Sequence, residues 1–357
     1  MASALKQSIR ITKASDGVAL AWAEAGTGPD LIKAPNWLTH LEYDCDSPVW
    51  RHWHHFFAEH YRYVRYDERG GGMSEWDVDE IALRRSVDDF ETVIEVARPK
   101  KPFIIFGISQ GGATAIHYAV QHPEHVSHLV LYGAYAQGEL VRGDSEAVER
   151  YHAVAALMRL GWGKNNPVYR QLFTSRFIPG ASDEQLRWFN ELCRKTATPE
   201  NAARIKDSRA RVDIVDLLPR VAVPTLVLHS RDEEAVPLSQ GRLLASNIPG
   251  AKFVELDFRN HILLDAEPAW ARFKEEVLAF TGRSREHEQD SSVFDALSTR
   301  EREILRRVAG GLTNLQIGRE LFISEKTVRN HLTRIFDKLG VNSRAQAIVL
   351  AKDKQLR

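Results

Sequence analysis

The sequence predicts an α/β protein, a mostly parallel sheet covered by helices, followed by a small all-α module. Three observations carry that expectation. Short apolar runs recur between helical patterns at Phe103–Phe106, His128–Tyr132, Thr225–His229 and Phe253–Leu256. Apolar strands alternating with helices fit a parallel sheet buried on both faces. The residues after 292 hold only capped segments of helical period. Charge divides at the same place. The span Leu297–Arg357 holds 13 of the 48 Lys+Arg and 6 of the 48 Asp+Glu, so a basic tail of +7 balances an acidic body of −7.

A chain of 357 residues accommodates two domains. The expected division is an α/β domain over 1–282, a linker over 283–292 within the polar run GRSREHEQDSS, and a helical domain over 293–357. Between about Gln137 and Leu218 the strands stop, and this helix-like stretch carrying Trp162 and Trp188 reads as an insertion over one end of the sheet. No window is long and apolar enough for a membrane span, and the first residues do not read as a signal peptide, so a cytoplasmic protein without a membrane partner is expected. Cys45 and Cys193 stand far apart and outside any CxxC, which points away from a disulfide scaffold or a zinc site. His52, His54, His55 and His60 crowd one expected amphipathic helix with exposed imidazoles. Only His52 and His55 share a face there and no carboxylate pair completes a ligand set, so no metal and no cofactor is expected. Gly70-Gly71-Gly72 lacks a following Lys-Ser/Thr and reads as a tight turn, not a phosphate loop.

Chemistry concentrates at Gly107-Ile108-Ser109-Gln110-Gly111, where an apolar strand runs into a helix. Glycines permit a sharp turn that lifts the Ser109 hydroxyl to a helix N-terminus, where N–H groups can receive developing negative charge. A serine nucleophile needs a base, and the base an orienting acid. His261 follows the strand Phe253–Leu256, at the end of the sheet where open parallel sheets place their sites. The acid lies among Asp232, Glu233 and Glu234, and residue type alone leaves these open.

Residues 8 to 282 resemble the α/β-hydrolase superfamily, on the elbow, on Arg65-Tyr66-Asp67-Glu68-Arg69-Gly70-Gly71-Gly72-Met73-Ser74 and on the strand opened by Pro224. The resemblance implies an α/β-hydrolase fold with a helical cap insertion over about 137–218. It also implies a catalytic acid four residues before Pro237 and nine after Pro224. Both counts fall on Glu233, with Asp232 the alternative. The family's oxyanion turn is His-Gly, where this chain has Pro35-Asn36, so the implied donors are the backbone N–H groups of Trp37 and Gln110. Asn36 is then expected to take the turn that glycine takes easily, since asparagine tolerates left-handed geometry.

The tail punctuates into four helices. Ser298 with Glu301 forms a capping box, Gly310-Gly311 ends the first helix, and a short second helix covers Asn314–Leu321. Phe322-Ile323 makes the turn, Ser324 caps a third helix ended by Gly340, and Asn342-Ser343 opens a fourth. Ile304, Leu305, Val308, Ile317, Leu321 and Ile323 recur at helical spacing, as do Val328, Leu332, Ile335 and Leu339, and together form the expected core. The opposite face of the third helix is basic. Arg329 and Asn330 suit base edges, while Lys326, Thr327 and Lys338 suit phosphates. Thr313, Asn314, Thr333 and Arg334 complete the expected DNA-binding set. The segment closely resembles the LuxR/GerE-type helix-turn-helix family, on L-S-x-R-E-x-E, A-x-G-x-T-N, I-S-x-x-T-V-R-x-H and K-L-G-V. That resemblance implies a homodimer on two half-sites of promoter DNA, with Ser343–Ala351 at the dimer contact.

The combination resembles bacterial LuxR-type regulators whose N-terminal half is an α/β-hydrolase fold, notably at Pro35-Asn36-Trp37-Leu38-Thr39-His40-Leu41-Glu42 and Arg259-Asn260-His261-Ile262-Leu263-Leu264. It implies a regulator in the bacterial cytoplasm, nucleoid-associated when on DNA. Its hydrolase-fold pocket would sense a small apolar ester or lactone-like ligand, with or without hydrolysing it. The alternative is a serine hydrolase, an esterase or lactonase, with an accessory DNA-binding tail.

Overall fold

A computed structural model describes residues 5–353 except 38, 144, 284–293, 295 and 322. Two compact units emerge, Met1–Val277 and Leu278–Arg357. The expected linker, Arg283 apart, lies outside the described residues.

Eight strands form the sheet of the first unit: β1 (Gln7–Lys13), β2 (Ala19–Ala25), β3 (Asp30–Lys33), β4 (Arg62–Tyr66), β5 (Phe103–Ile108), β6 (Val126–Tyr132), β7 (Thr225–Ser230) and β8 (Lys252–Leu256). Their order is β1-β2-β4-β3-β5-β6-β7-β8. Pairing is antiparallel from β1 to β4 through β2, and parallel from β4 onward. This is the α/β-hydrolase fold. Strands β5 and β7 are buried along their whole length, as apolar runs covered on both faces should be. Strand β1, at the edge, alternates between exposed and half-buried residues.

The chain passes from β3 to β4 on one side and then to β5 on the other, so the order reverses beside β3. Open α/β sheets bind ligands in the crevice beyond the strand ends at such a reversal. Here those ends carry Ala34-Pro35-Asn36-Trp37 after β3 and Ser109-Gln110 after β5.

The helix Arg51–His60 lies on one face, its Trp53 and Phe57 rings packed on Phe106 and Phe273. Its histidines depart from the expected exposed imidazoles: His54 and His60 are buried. The apolar stripe is wide enough to take them in, and His54 stacks between Trp50 and Tyr63. His52 Nε2 lies 2.9 Å from the Leu263 carbonyl oxygen. Gly70 and Gly72 both take positive φ in the expected turn. The Gly72 N–H donates to Thr196 O at 2.7 Å, which ties the turn to the cap.

The cap comprises helices Glu139–Arg142, Ser145–Gly161, Val168–Phe177, Asp183–Thr196 and Pro199–Ala210. Its neck is pinned by main chain: Gly138 N–H donates to Val212 O at 2.7 Å and Ile214 N–H to Ala136 O at 3.0 Å. The return therefore comes near Asp213, a little before the expected Leu218.

The second unit holds helices Thr299–Ala309, Asn314–Leu321, Glu325–Leu339 and Arg344–Asp353. Ser298 and Glu301 form a reciprocal capping box, Ser324 Oγ accepts the Thr327 N–H at 3.0 Å, and Gly340 ends the third helix in left-handed geometry. Its core holds Ile304, Leu305, Val308, Ile317, Val328 and Ile335, among others, while Ile323 and Leu339 are half-buried against it. Phe322 lies outside the described residues.

Candidate functional site

Ser109 sits at φ 53°, one of two non-glycine residues at positive φ among the described residues. A serine held in the left-handed region marks strain that the surrounding fold must sustain. Two close approaches sustain it. A Cβ on Gly111 would lie 2.5 Å from the Pro35 carbonyl oxygen, and the Ser109 N–H donates to Tyr132 O at 2.9 Å. The elbow thus stands against the end of β3, with the helix Gly111–Gln121 beginning beneath it.

Of the three adjacent acidic residues, Glu233 is the buried one, whereas Asp232 and Glu234 are exposed. Glu233 Oε2 lies 2.6 Å from His261 Nδ1, and its Oε1 lies 2.8 Å from His229 Nε2. Burial pushes the Glu233 carboxyl up, but the two imidazoles outweigh it and hold the group below its ordinary value. Burial likewise pulls His229 down, and the Glu233 carboxylate reverses that, leaving His229 raised. His261 Nε2 is buried without a hydrogen-bond partner among the described residues, so no bond to Ser109 is formed. Such bonds often tighten only once substrate is present.

Neither the Trp37 nor the Gln110 backbone N–H is engaged in a hydrogen bond among the described residues. Asn36 does not take the left-handed turn expected of it, being absent from the positive-φ residues. Its side chain holds the segment instead: Oδ1 accepts from Lys33 Nζ, and Nδ2 donates to Trp37 O at 3.1 Å. Burial, with the nearby Arg65 charge, brings the Lys33 ammonium down to about 7. The Trp37 ring stacks on Trp162 of the cap at 5.5 Å between centroids and meets Phe173 edge-on at 4.7 Å.

Ser109, Gln110 and His261 line one cavity of about 100 Å³ under the cap. Trp37, Trp50, Phe173, Phe177 and Phe189 give it an aromatic wall, but Arg142, Arg176, Lys206, Arg209 and Glu139 line it too. The lining is therefore partly charged, where a pocket for a small apolar ligand was expected. Sequence reasoning missed those five and His229. The local signal for His229 was slight: it closes an apolar strand whose C-terminal end faces the site.

In the second unit Lys326, Arg329, Asn330, Thr333 and Arg334 are exposed on one face of the helix Glu325–Leu339. Several of the predicted residues have structural engagements: Arg329 pairs with Glu325 at 3.3 Å and Thr333 Oγ1 donates to Arg329 O at 3.2 Å. Asn314 Oδ1 accepts from Arg344 at 2.9 Å, Lys338 pairs with the capping Glu301 at 2.7 Å, and half-buried Thr327 meets Ser324 Oγ at 2.8 Å. Thr313 is exposed and its Oγ caps the second helix by accepting the Gln316 N–H at 3.3 Å.

Comparison with known proteins follows the same division. The family profile described as serine aminopeptidase, S33, matches residues 51–261, and that described as bacterial regulatory proteins, luxR family, matches residues 295–351. The chain belongs to the S33 serine aminopeptidase family and carries a luxR-family regulatory domain. Solved structures agree on the fold of the first unit. A hydrolase from Pseudomonas aeruginosa PA01 has TM-score 0.63 and 22% identity, covering 77% of this chain and 98% of that one. An esterase from Exiguobacterium antarcticum has TM-score 0.63 and 21% identity, covering 76% and 98%. At such identity the likeness is one of fold. Curated relatives agree on the luxR-type unit. The probable HTH-type transcriptional regulator GfsR of Streptomyces halstedii is 53% identical over 60 residues, 17% of this chain and 25% of GfsR. The transcriptional regulatory protein LiaR of Bacillus subtilis is 32% identical over 139 residues, 39% of this chain and 64% of LiaR. The chain thus spans less than two thirds of the length of these relatives. Among the described residues no helix is long and apolar enough to cross a membrane.

Proposed function

We propose that this chain is a DNA-binding transcriptional regulator whose α/β-hydrolase unit senses a small ester- or lactone-like ligand. One observation carries the output half: a luxR-type fold presents Lys326, Arg329, Asn330 and Arg334 together on the solvent face of its third helix. The names of GfsR and LiaR, both transcriptional regulators, support the same reading. Arg329 and Asn330 read base edges in the major groove, and Lys326 and Arg334 hold phosphates. Lys338, already paired with Glu301, contributes less than its position suggests. The protein binds as a homodimer through the helix Arg344–Asp353, which leaves Val349 56% exposed. Two half-sites follow from the two-fold symmetry of such a dimer. Ligand in the cavity shifts the population of DNA-binding states by its differential affinity for them.

The test is selection of bound duplexes from a randomised pool by the full chain. Two half-sites with dyad symmetry should emerge, and R329A should relax the preference at one position of each. A chain that enriches no sequence refutes the regulator reading.

The Glu233–His261 contact of 2.6 Å beside a strained serine favours a second reading, in which the ligand is also hydrolysed. Ser109 Oγ attacks the carbonyl carbon as its proton passes to His261 Nε2, and the imidazolium is held by Glu233. The N–H groups of Trp37 and Gln110 receive the oxyanion. The C–O bond to the leaving alcohol then breaks, the alcohol takes the proton from His261, and water cleaves the acyl-serine by the same steps. Asp232 is exposed and serves no part of this. Labelling of the protein by a fluorophosphonate probe, lost in S109A, tests it. If S109A retains ligand-dependent transcription, turnover is not part of signalling.

A further inference from the structure

The least expected group in the cavity is Arg209. It is 5% exposed, on the last turn of the cap helix Pro199–Ala210. Its Nη2 donates to Glu68 Oε2 and to Ser86 Oγ, each at 2.7 Å. Nε and Nη1 are buried without a hydrogen-bond partner among the described residues. A guanidinium has five N–H donors, so three N–H groups on Nε and Nη1 remain unanswered. An unsatisfied buried donor is costly, and more so in a charged group.

The neighbouring charges do not answer it. Arg142, Arg176 and Lys206 line the same cavity. Glu139 takes Lys206 at 3.0 Å and Arg176 at 3.7 Å, while Glu68 is shared between Arg209 and the Gln110 side chain at 3.1 Å. Arg142 donates to the Gln137 carbonyl at 2.7 Å and lies over the Tyr135 ring. Four cations therefore face two carboxylates, an excess of two positive charges, with Glu233 already committed to its two histidines. The chain Gln110–Glu68–Arg209 places the unanswered guanidinium two hydrogen bonds from the residue after Ser109.

Resting on the reading of this cavity as a ligand site, we propose that its occupant is a small carboxylate-bearing ester or lactone. The carbonyl end lies at Ser109 and the carboxylate pairs with Arg209. Arg is suited to this because it stays charged when buried and forms charge-assisted bonds to carboxylates. The aromatic wall covers the short carbon chain between the two ends. A cavity of about 100 Å³ holds only about three waters at ~30 Å³ each, which limits the occupant to a compact molecule.

The experiment uses the full chain carrying S109A, so that ligand is not consumed, with calorimetric titration at pH 7. The probes are monoethyl glutarate and ethyl pentanoate, which share the ethyl ester and chain but differ in the terminal carboxylate. Monoethyl glutarate should bind at least tenfold tighter. That preference should fall below threefold in R209Q and in E68Q/R209Q, the double variant removing both members of the buried pair in case R209Q alone fails to fold. Equal or tighter binding of ethyl pentanoate overturns the carboxylate assignment and leaves the sensor reading in place. Persistence of the preference in both Arg209 variants overturns Arg209 as its partner. Binding of neither ester overturns the proposal, and the DNA selection then decides the regulator reading separately.

Discussion

Replacing Glu233 by glutamine preserves shape and removes the charge beside His261. In the transition state of acyl transfer His261 becomes an imidazolium, and across a 2.6 Å contact its charge centre lies close to the carboxylate. Two unit charges about 4 Å apart at an effective dielectric of ~20 attract by about 4 kcal/mol. A base must be neutral to accept the Ser109 proton, so in the reactive form that attraction arises only in the transition state and its loss falls on the rate. At 1.36 kcal/mol per decade it amounts to about a thousandfold. The assay is the second-order rate constant for fluorophosphonate labelling of Ser109 in wild type, E233Q and D232N, with circular dichroism to confirm folding. E233Q should label about a thousandfold more slowly, and D232N, altering an exposed side chain, should match wild type within about twofold. Labelling of E233Q within tenfold of wild type, or equal losses in the two variants, refutes the reasoning.

G111A drives a Cβ to 2.5 Å from the Pro35 carbonyl oxygen, a backbone atom that cannot swing aside. It should cost about 1–3 kcal/mol, read as a lower melting temperature together with slower labelling of Ser109. Burial raises Glu267 from 4.5 to about 7, although Asn260 donates to it at 2.5 Å. Between those pH values the folded protein keeps a proton that the unfolded chain has released, so this group makes stability fall as pH rises from 4.5 to 7. Melting temperature against pH should accordingly fall less steeply in E267Q than in wild type. K326A removes an exposed cation with no ion pair among the described residues. It should weaken binding to all duplexes alike and reduce the salt slope by about one, as measured by fluorescence anisotropy over a salt series.

Strands β5 to β8 were legible because each contains a short, mainly apolar run, buried on both faces for β5 and β7. Strands β1 to β4 were not, since β1 is a half-exposed edge and β3 has four residues beginning with an aspartate. The positions of Ser109 and His261 could be read locally, from a strand–turn–helix pattern and a strand end. The choice among three adjacent carboxylates could not, because it depends on which side chain the turn after β7 directs inward. The charged wall of the cavity was illegible for a related reason. Arg142, Arg176, Lys206 and Arg209 look in sequence like the solvated faces of cap helices, and only the packing of the cap on the sheet brings them to one place. Asn36 was read by its tolerance for left-handed backbone, whereas its side-chain bonds to Lys33 and Trp37 are what hold the turn.

The glutamate at 233 has a physical consequence that an aspartate would not share. Its carboxylate spans two imidazoles, one oxygen at 2.6 Å from His261 and the other at 2.8 Å from His229. Removing one methylene withdraws the carboxylate by about 1.5 Å, too far to serve both rings from the same backbone. His229 is fixed by the buried end of β7 and by a 3.0 Å contact with Val236 O, so it cannot follow. Its raised pKa and the lowered one of Glu233 are two sides of one interaction, the attraction between the ring and the carboxylate. E233D should therefore lose the close charged contact with His229, about 1.5–3 kcal/mol on the scale of interactions with charged groups, and label Ser109 roughly ten- to a hundredfold more slowly than wild type. The loss should shrink as pH rises through the His229 titration, because deprotonating that ring takes from wild type the charge that the shorter carboxylate no longer reaches. A variant E233D that labels as fast as wild type across pH 5–8 would mean that His229 contributes nothing to the acid.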